Sequence, residues 1–235
     1  MKKYTVEELA FMIDHTQLAA NALPAAFDKL CKEAVDNGFR MVAINSCQVE
    51  YCAKLLKGTN VHVGAAIGFP LGQTTIKSKL YETSDAIENG ADEIDYVLNI
   101  PRLISGDTAY IQKEMQSIVD LCRQQNIISK VIFENCYLTK EQIALAASIA
   151  KEVGPDFIKT STGFGTGGAT VEDVTIMKQT VGDLVKVKAA GGIRTAETML
   201  AMVNAGAERI GTSAGVKIID ALKGNPVDFS DTVAY

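Results

Sequence analysis

Residues 154–160 read GPDFIKT: a glycine, two residues of passage, then a short β-rich run that reaches a lysine. The same connection recurs at Gly38 before MVAIN (41–45), at Gly90 before EIDYVL (93–98) and at Gly206 before RIGT (209–212). A glycine just past a helix end supplies the left-handed residue that lets the chain turn into the next strand. The intervening segments have helical period. Phe27, Leu30, Cys31, Ala34 and Val35 share one face; so do Ile111, Met115, Ile118, Val119 and Cys122, and so do Ala196, Met199, Leu200 and Val203.

Collecting the β-rich runs gives eight, at 11–14, 41–45, 61–67, 93–98, 129–133, 157–160, 185–189 and 208–211. Several are apolar on both faces, as strands of a parallel sheet covered by helices should be. Eight alternating units predict an α/β protein with a closed (β/α)8 TIM barrel, residues 1–235 forming one catalytic domain. Periodicity alone also allows an open, doubly wound sheet. The absence of a G-x-G-x-x-G after the first run argues against one that binds dinucleotides.

The chain has 235 residues, 47% of them hydrophobic, which is enough for one large core, and a net charge of −5. A mildly acidic chain with scattered basic residues is a poor match for nucleic acid or an anionic membrane. No stretch approaches a membrane span, and MKKYTVEELAFMID does not read as a signal peptide. Five cysteines without a C-x-x-C pair predict reduced thiols in a cytoplasmic protein. Two isolated histidines cannot build the His/Glu cluster of a catalytic metal site, so no metal and no cofactor is expected.

In such a barrel, chemistry sits at the C-terminal ends of the strands. Those positions hold Asp14 after the first run, Asn45 after the second, Asp95 on the fourth, Lys159 on the sixth, Lys188 on the seventh and Thr212-Ser213 after the eighth. Ionised groups are rarely placed on buried strands without a partner or a task. A lysine that attacks a carbonyl must be neutral, and a second ammonium nearby, with partial desolvation, depresses its pKa. Lys159 beside Lys188 would supply that pairing, and Asp95 could pass the protons. A strand-end lysine is otherwise a salt-bridge partner, and Asp14 could simply orient a neighbour. Glycine-rich turns at 163–168, 191–192 and 211–213 each precede a predicted helix and offer backbone N–H groups to a phosphate. Arg194 reads as a solvated residue at a helix start.

IDHT (13–16), IGFPLG (67–72), DEIDYVLNI (92–100), FIKTSTGFGTGGAT (157–170), VKAAGGIRT (187–195) and RIGTSAGVKII (209–219) resemble the deoxyribose-phosphate aldolase family, in family order. The resemblance implies reversible cleavage of the phosphosugar 2-deoxy-D-ribose 5-phosphate to D-glyceraldehyde 3-phosphate and an aldehyde, acetaldehyde. It implies a Schiff base on Lys159, a pKa-lowering Lys188 and a proton relay at Asp95. Asp14 and Thr16 would lie near the substrate hydroxyls, and Gly163, Gly191, Gly192 and Ser213 would bind phosphate. Tyr235, after DFSDTVA, resembles the terminal tyrosine of a mobile tail that protonates the enamine carbon; the alternative is a frayed terminus. Monomers or homodimers are implied. Three positions depart from the family pattern, with Ala43 for a cysteine, Ser46 for a proline and Ala214 for a second serine. Two other readings use the same residues: a Schiff-base lyase for a different phosphorylated aldehyde or ketose, and a silent phosphosugar-binding barrel. The second would have no need of paired lysines.

Overall fold

The computed structural model describes residues 4–224. Eight parallel strands close into a barrel in sequence order, β1 (Ile13–Gln17), β2 (Met41–Asn45), β3 (His62–Ile67), β4 (Glu93–Val97), β5 (Ile128–Ile132), β6 (Phe157–Lys159), β7 (Lys186–Ala190) and β8 (Arg209–Thr212), with β8 pairing back to β1. Helix α1 (Val6–Ala10) precedes the first strand. The outer ring is α2 (Pro24–Asp36), α3 (Val49–Leu56), α4 (Ile76–Glu88), α5 (Ile100–Ile104), α6 (Thr108–Gln124), α7 (Lys140–Val153), α8 (Val171–Val181), α9 (Ala196–Asn204) and α10 (Gly215–Gly224). Threonine begins many of these helices. Thr5, Thr139 and Thr195 form full capping boxes, satisfying backbone N–H groups that the first turn leaves free.

The four glycines of the recurring connection all have positive φ, from +66° at Gly38 to +111° at Gly206. Of the proposed helix faces, Val35 alone departs, being exposed beyond the edge of the α2 stripe. The first strand starts at Ile13 rather than residue 11, because α1 runs to Ala10 and Phe11 caps its end. Asp14 is therefore the second residue of β1, set inside the barrel, rather than at the strand's C-terminal end.

Strand alternation divides the barrel in two. The outward set, including Ile13, Val42, Ile44, Ala65, Ile94, Val131, Ile158, Val187 and Ile210, is buried beneath the helices and forms one continuous apolar cluster. The inward set is different in kind. It contains Asp14, Glu93, Asp95, Lys130, Lys159, Lys188 and Arg209, all buried.

A second buried ion pair lies outside the barrel wall. Lys79 on α4 donates to Glu114 on α6 (2.7 Å) and to the Val97 carbonyl (2.6 Å), and Glu114 also accepts the Asn99 N–H (2.8 Å). The pair fixes the chain as it leaves β4. Lys79→Met would strand a buried carboxylate and is expected to cost about 3–5 kcal/mol in denaturant unfolding. Lys79→Met/Glu114→Leu should recover part of that loss, since only the Asn99 and Val97 backbone groups then remain unpaired; a double variant less stable than the single one would contradict this.

Candidate active site

Register brings the predicted residues together. Lys159 and Lys188 are direct partners across β6 and β7, Asp95 is the partner of Lys130 across β4 and β5, and Lys188 is the partner of Arg209 across β7 and β8. Their side chains all enter the barrel and meet on one carboxylate. Asp95 Oδ2 accepts from Lys159 Nζ (2.8 Å) and Lys188 Nζ (2.7 Å), while Oδ1 accepts from Lys130 Nζ (2.6 Å). Lys130 also reaches Glu93 (2.5 Å). Lys188 pairs with Asp14, and Arg209 grips Asp14 through Nε (2.8 Å) and Nη2 and contacts Glu93 (3.2 Å).

Burial pulls the Lys159 ammonium down to about 8; the pull of Asp95 opposes this, and the charges of Lys188 and Lys130 reinforce it. Burial alone would raise the Asp95 carboxyl, but Lys130, Lys159 and Lys188 outweigh it and hold the group well below its ordinary range. For Lys130, burial works against the charged form, yet Asp95, Glu93 and Asp14 overcome it and push the pKa above the usual lysine value. One lysine of the set is therefore made easy to deprotonate while its neighbour is locked as a cation. With a pKa of about 8, the neutral fraction of Lys159 at pH 7 is about 200-fold above that of a free lysine.

Lys159 opens into a cleft of about 330 Å³ at the C-terminal end of the barrel. Thr16, Gly163, Gly191, Gly192 and Ser213 line the same cleft. The loops carrying these glycines are pressed together. A Cβ at Gly168 would lie 2.2 Å from the Gly191 carbonyl oxygen, and the Ala169 N–H bridges the Ala190 and Gly191 carbonyls (3.1 and 3.0 Å). Only glycine permits that approach. Arg194 is solvent-exposed as expected, yet it also lines the cleft. Asp14 does not line it; it is fully buried behind Lys188. Asn45 donates to the Leu18 carbonyl (3.3 Å), tying the ends of β1 and β2, and Ser46 donates to Glu82 (2.9 Å). Tyr235 lies outside the described residues.

Four members of the site were not singled out from the sequence. Lys130 stands alone in an apolar run, while Glu93 and Arg209 each sit beside another charged residue, Asp92 and Glu208; parity with Asp95 and Lys188 on a closed barrel was the available signal. The fourth is Glu134, held at φ +58° just past β5. Its carboxyl, pushed up by burial, accepts the Thr162 N–H (3.1 Å) and hydroxyl. It thereby pins the loop that follows Lys159. Among the described residues no group of three His, Cys, Asp or Glu side chains could hold a metal ion, and no helix is long and apolar enough to cross a membrane.

A readily neutralised lysine at the mouth of a charge-filled TIM barrel is an arrangement suited to Schiff-base chemistry. Residues 9–220 match the DeoC/LacD family aldolase, and the chain belongs to that family as a class I aldolase. It is 61% identical to a deoxyribose-phosphate aldolase of Lactobacillus acidophilus, over 94% of this chain and 93% of that one. It is 53% identical to one from Bacteroides thetaiotaomicron, over 93% and 92%. Among solved structures, a Coccidioides immitis protein superposes with TM-score 0.91 at 37% identity, covering 95% of this chain and 88% of that one. A tetrameric deoxyribose phosphate aldolase from Aeropyrum pernix superposes with TM-score 0.87 at 32% identity, covering 95% and 94%.

Lys188→Met removes a cation that lowers Lys159 and leaves Asp95 less neutralised, so both changes favour the Lys159 ammonium. The midpoint for borohydride trapping of an aldehyde on Lys159 should rise from about 8 by about one pH unit or more. A midpoint that stays or falls would remove Lys188 from this role.

Proposed function

We propose that this aldolase reversibly cleaves 2-deoxy-D-ribose 5-phosphate to D-glyceraldehyde 3-phosphate and acetaldehyde, with Lys159 as the Schiff-base lysine. The observation that carries it is a single cleft shared by the Lys159 amine and a glycine-lined cradle that includes Ser213. Paired with the deoxyribose-phosphate aldolases of similar length and sequence, that arrangement selects a short phosphorylated aldehyde.

Neutral Lys159 Nζ attacks C1 of the open-chain sugar. The carbinolamine loses water as its hydroxyl is protonated, giving an iminium. Removal of the C3 hydroxyl proton then breaks the C2–C3 bond, and the electron pair moves to the iminium nitrogen as an enamine forms. Glyceraldehyde 3-phosphate leaves; protonation of C2 and hydrolysis release acetaldehyde and the free lysine. Asp95 suits a relay between Lys159, Lys188 and water because both amines lie on its Oδ2, each within one hydrogen bond of the carboxylate. Lys188 supplies the fixed positive charge. Asp14, held by Arg209 and Lys188, supports that lysine from behind, while Thr16 faces the sugar hydroxyls from the rim. Backbone N–H groups at Gly163, Gly191, Gly192 and Ser213 hold the phosphate. We further infer a monomer or homodimer working in deoxynucleotide breakdown in the cytoplasm.

Incubation with acetaldehyde, borohydride reduction and peptide mass mapping should place a two-carbon adduct on Lys159, and Lys159→Arg should remove it along with activity. Adducts on other lysines at equal yield would sink the assignment. Tyr235 is proposed as the proton donor to the enamine carbon. From Gly224 eleven residues remain, enough for a span of roughly 36 Å, about twice the length of α10. Deleting Tyr235 should slow solvent-deuterium exchange into acetaldehyde by tenfold or more; unchanged exchange would end that role.

A further inference from the structure

The barrel has a second open end. Around its N-terminal mouth lies a cavity of about 660 Å³, lined by the first residues of several strands and by Phe11, Arg40, Lys178, Lys186 and Arg209. A neighbouring cavity of about 560 Å³ shares Phe11 and Arg40 and adds Lys57 and His62. Volumes of this order are typical of small-molecule sites, roughly 300–1,000 Å³.

Charge sets this floor apart from the rest of the molecule. The protein carries −5 overall, yet the two cavities gather five cations, Arg40, Lys57, Lys178, Lys186 and Arg209, against two carboxylates, Asp92 and Glu208. Those carboxylates are already engaged. Asp92 accepts the Val63 N–H (2.8 Å), and Glu208 pairs with Lys178 (3.3 Å). Among the described residues, Lys57 and Lys186 pair with no carboxylate, and Lys186 lies over the Phe157 ring at 5.5 Å. Arg40 stands 3.7 Å from Glu93, a carboxylate also held by His62 (2.8 Å), Lys130 and Arg209. Arg40 also covers one side of Phe11 at 5.1 Å, and that ring is half exposed.

We propose that this floor is a second anion site, distinct from the catalytic cleft, that binds a nucleotide-sized phosphate monoester. The phosphate sits on Arg40 and Lys186, and the planar part lies against Phe11. The Lys186 ammonium has no carboxylate partner, and Arg40 shares Glu93 with His62, Lys130 and Arg209, so both have N–H groups to offer phosphate oxygens, while a half-exposed aromatic ring gives the remainder an apolar surface. Arg209, a buried member of the larger cavity's lining, also holds Asp14 behind Lys188. An anion on the floor therefore meets the far end of the same charge network that tunes Lys159.

The test is calorimetric titration with deoxyadenosine 5′-monophosphate, inorganic phosphate and adenosine, and it does not depend on which sugar the enzyme cleaves. The nucleotide is expected to bind more tightly than phosphate, and adenosine not at all. Arg40→Gln/Lys186→Gln should weaken nucleotide binding at least tenfold. Lys186→Gln alone, at an exposed position, should weaken it severalfold and serves if the double variant does not fold. Ser213→Asp, which closes the catalytic cradle to anions, should leave the floor site intact. Binding lost in Ser213→Asp but retained in the floor variants would overturn the proposal. So would the absence of nucleotide binding, or binding that appears only after residues 225–235 are deleted, which would make that acidic segment the occupant.

Discussion

Everything at the catalytic end depends on the carboxylate of Asp95, which holds three lysines in hydrogen-bond contact within an enclosed barrel. Inside the barrel, four cations (Lys130, Lys159, Lys188 and Arg209) face three carboxylates (Asp14, Glu93 and Asp95). Charge balance is reached when one cation gives up its proton. Lys159 is the member whose amine meets the cleft and whose pKa burial depresses. The network therefore leaves its imbalance on the amine that meets the cleft. Lys130 keeps its charge because Asp95 and Glu93 hold it above the usual lysine range, while Lys188 rests between Asp14 and Asp95.

Such an interior is costly to bury, and the outer layer offsets the cost. The outward faces of all eight strands pack under the helices as one apolar cluster, so stability and chemistry are divided between the two sides of the same strands. The division also explains why the strands can be short. β6 has only three residues, yet its two inward positions, Phe157 and Lys159, reach both the floor and the rim.

Most of the fold was legible because period and punctuation agreed. Seven of the eight strands begin within one residue of expectation, and the recurring glycines all take the backbone conformation their positions demanded. The first strand was misplaced because Phe11 and Met12 are as apolar as a strand residue; only the capped α1 ahead of them shifts the start. That shift moved Asp14 from the rim to the interior. Lys159 was readable because it ends β6, where barrels keep their chemistry; Lys188 was readable as its neighbour one strand over, although it lies in the middle of β7 and is fully buried. Lys130 and Arg209 were not, because a lone charge such as Lys130, or a charged pair at a strand start such as Glu208-Arg209, looks the same whether it faces water or a closed barrel. Glu134 had even less signal: its part in the site comes from a left-handed backbone that no residue pattern around it announces.

The contact between Gly168 and Gly191 has a consequence for anyone reshaping this enzyme. With the backbones of the two loops touching and the Ala169 N–H clasping both carbonyls of the second, the loops are mechanically one piece. Lengthening either alone would lever the other out of place. Variants that accept bulkier substrates are therefore more readily sought by side-chain changes at Leu18 and Ala19, which line the same cleft just past β1 and take no part in this joint.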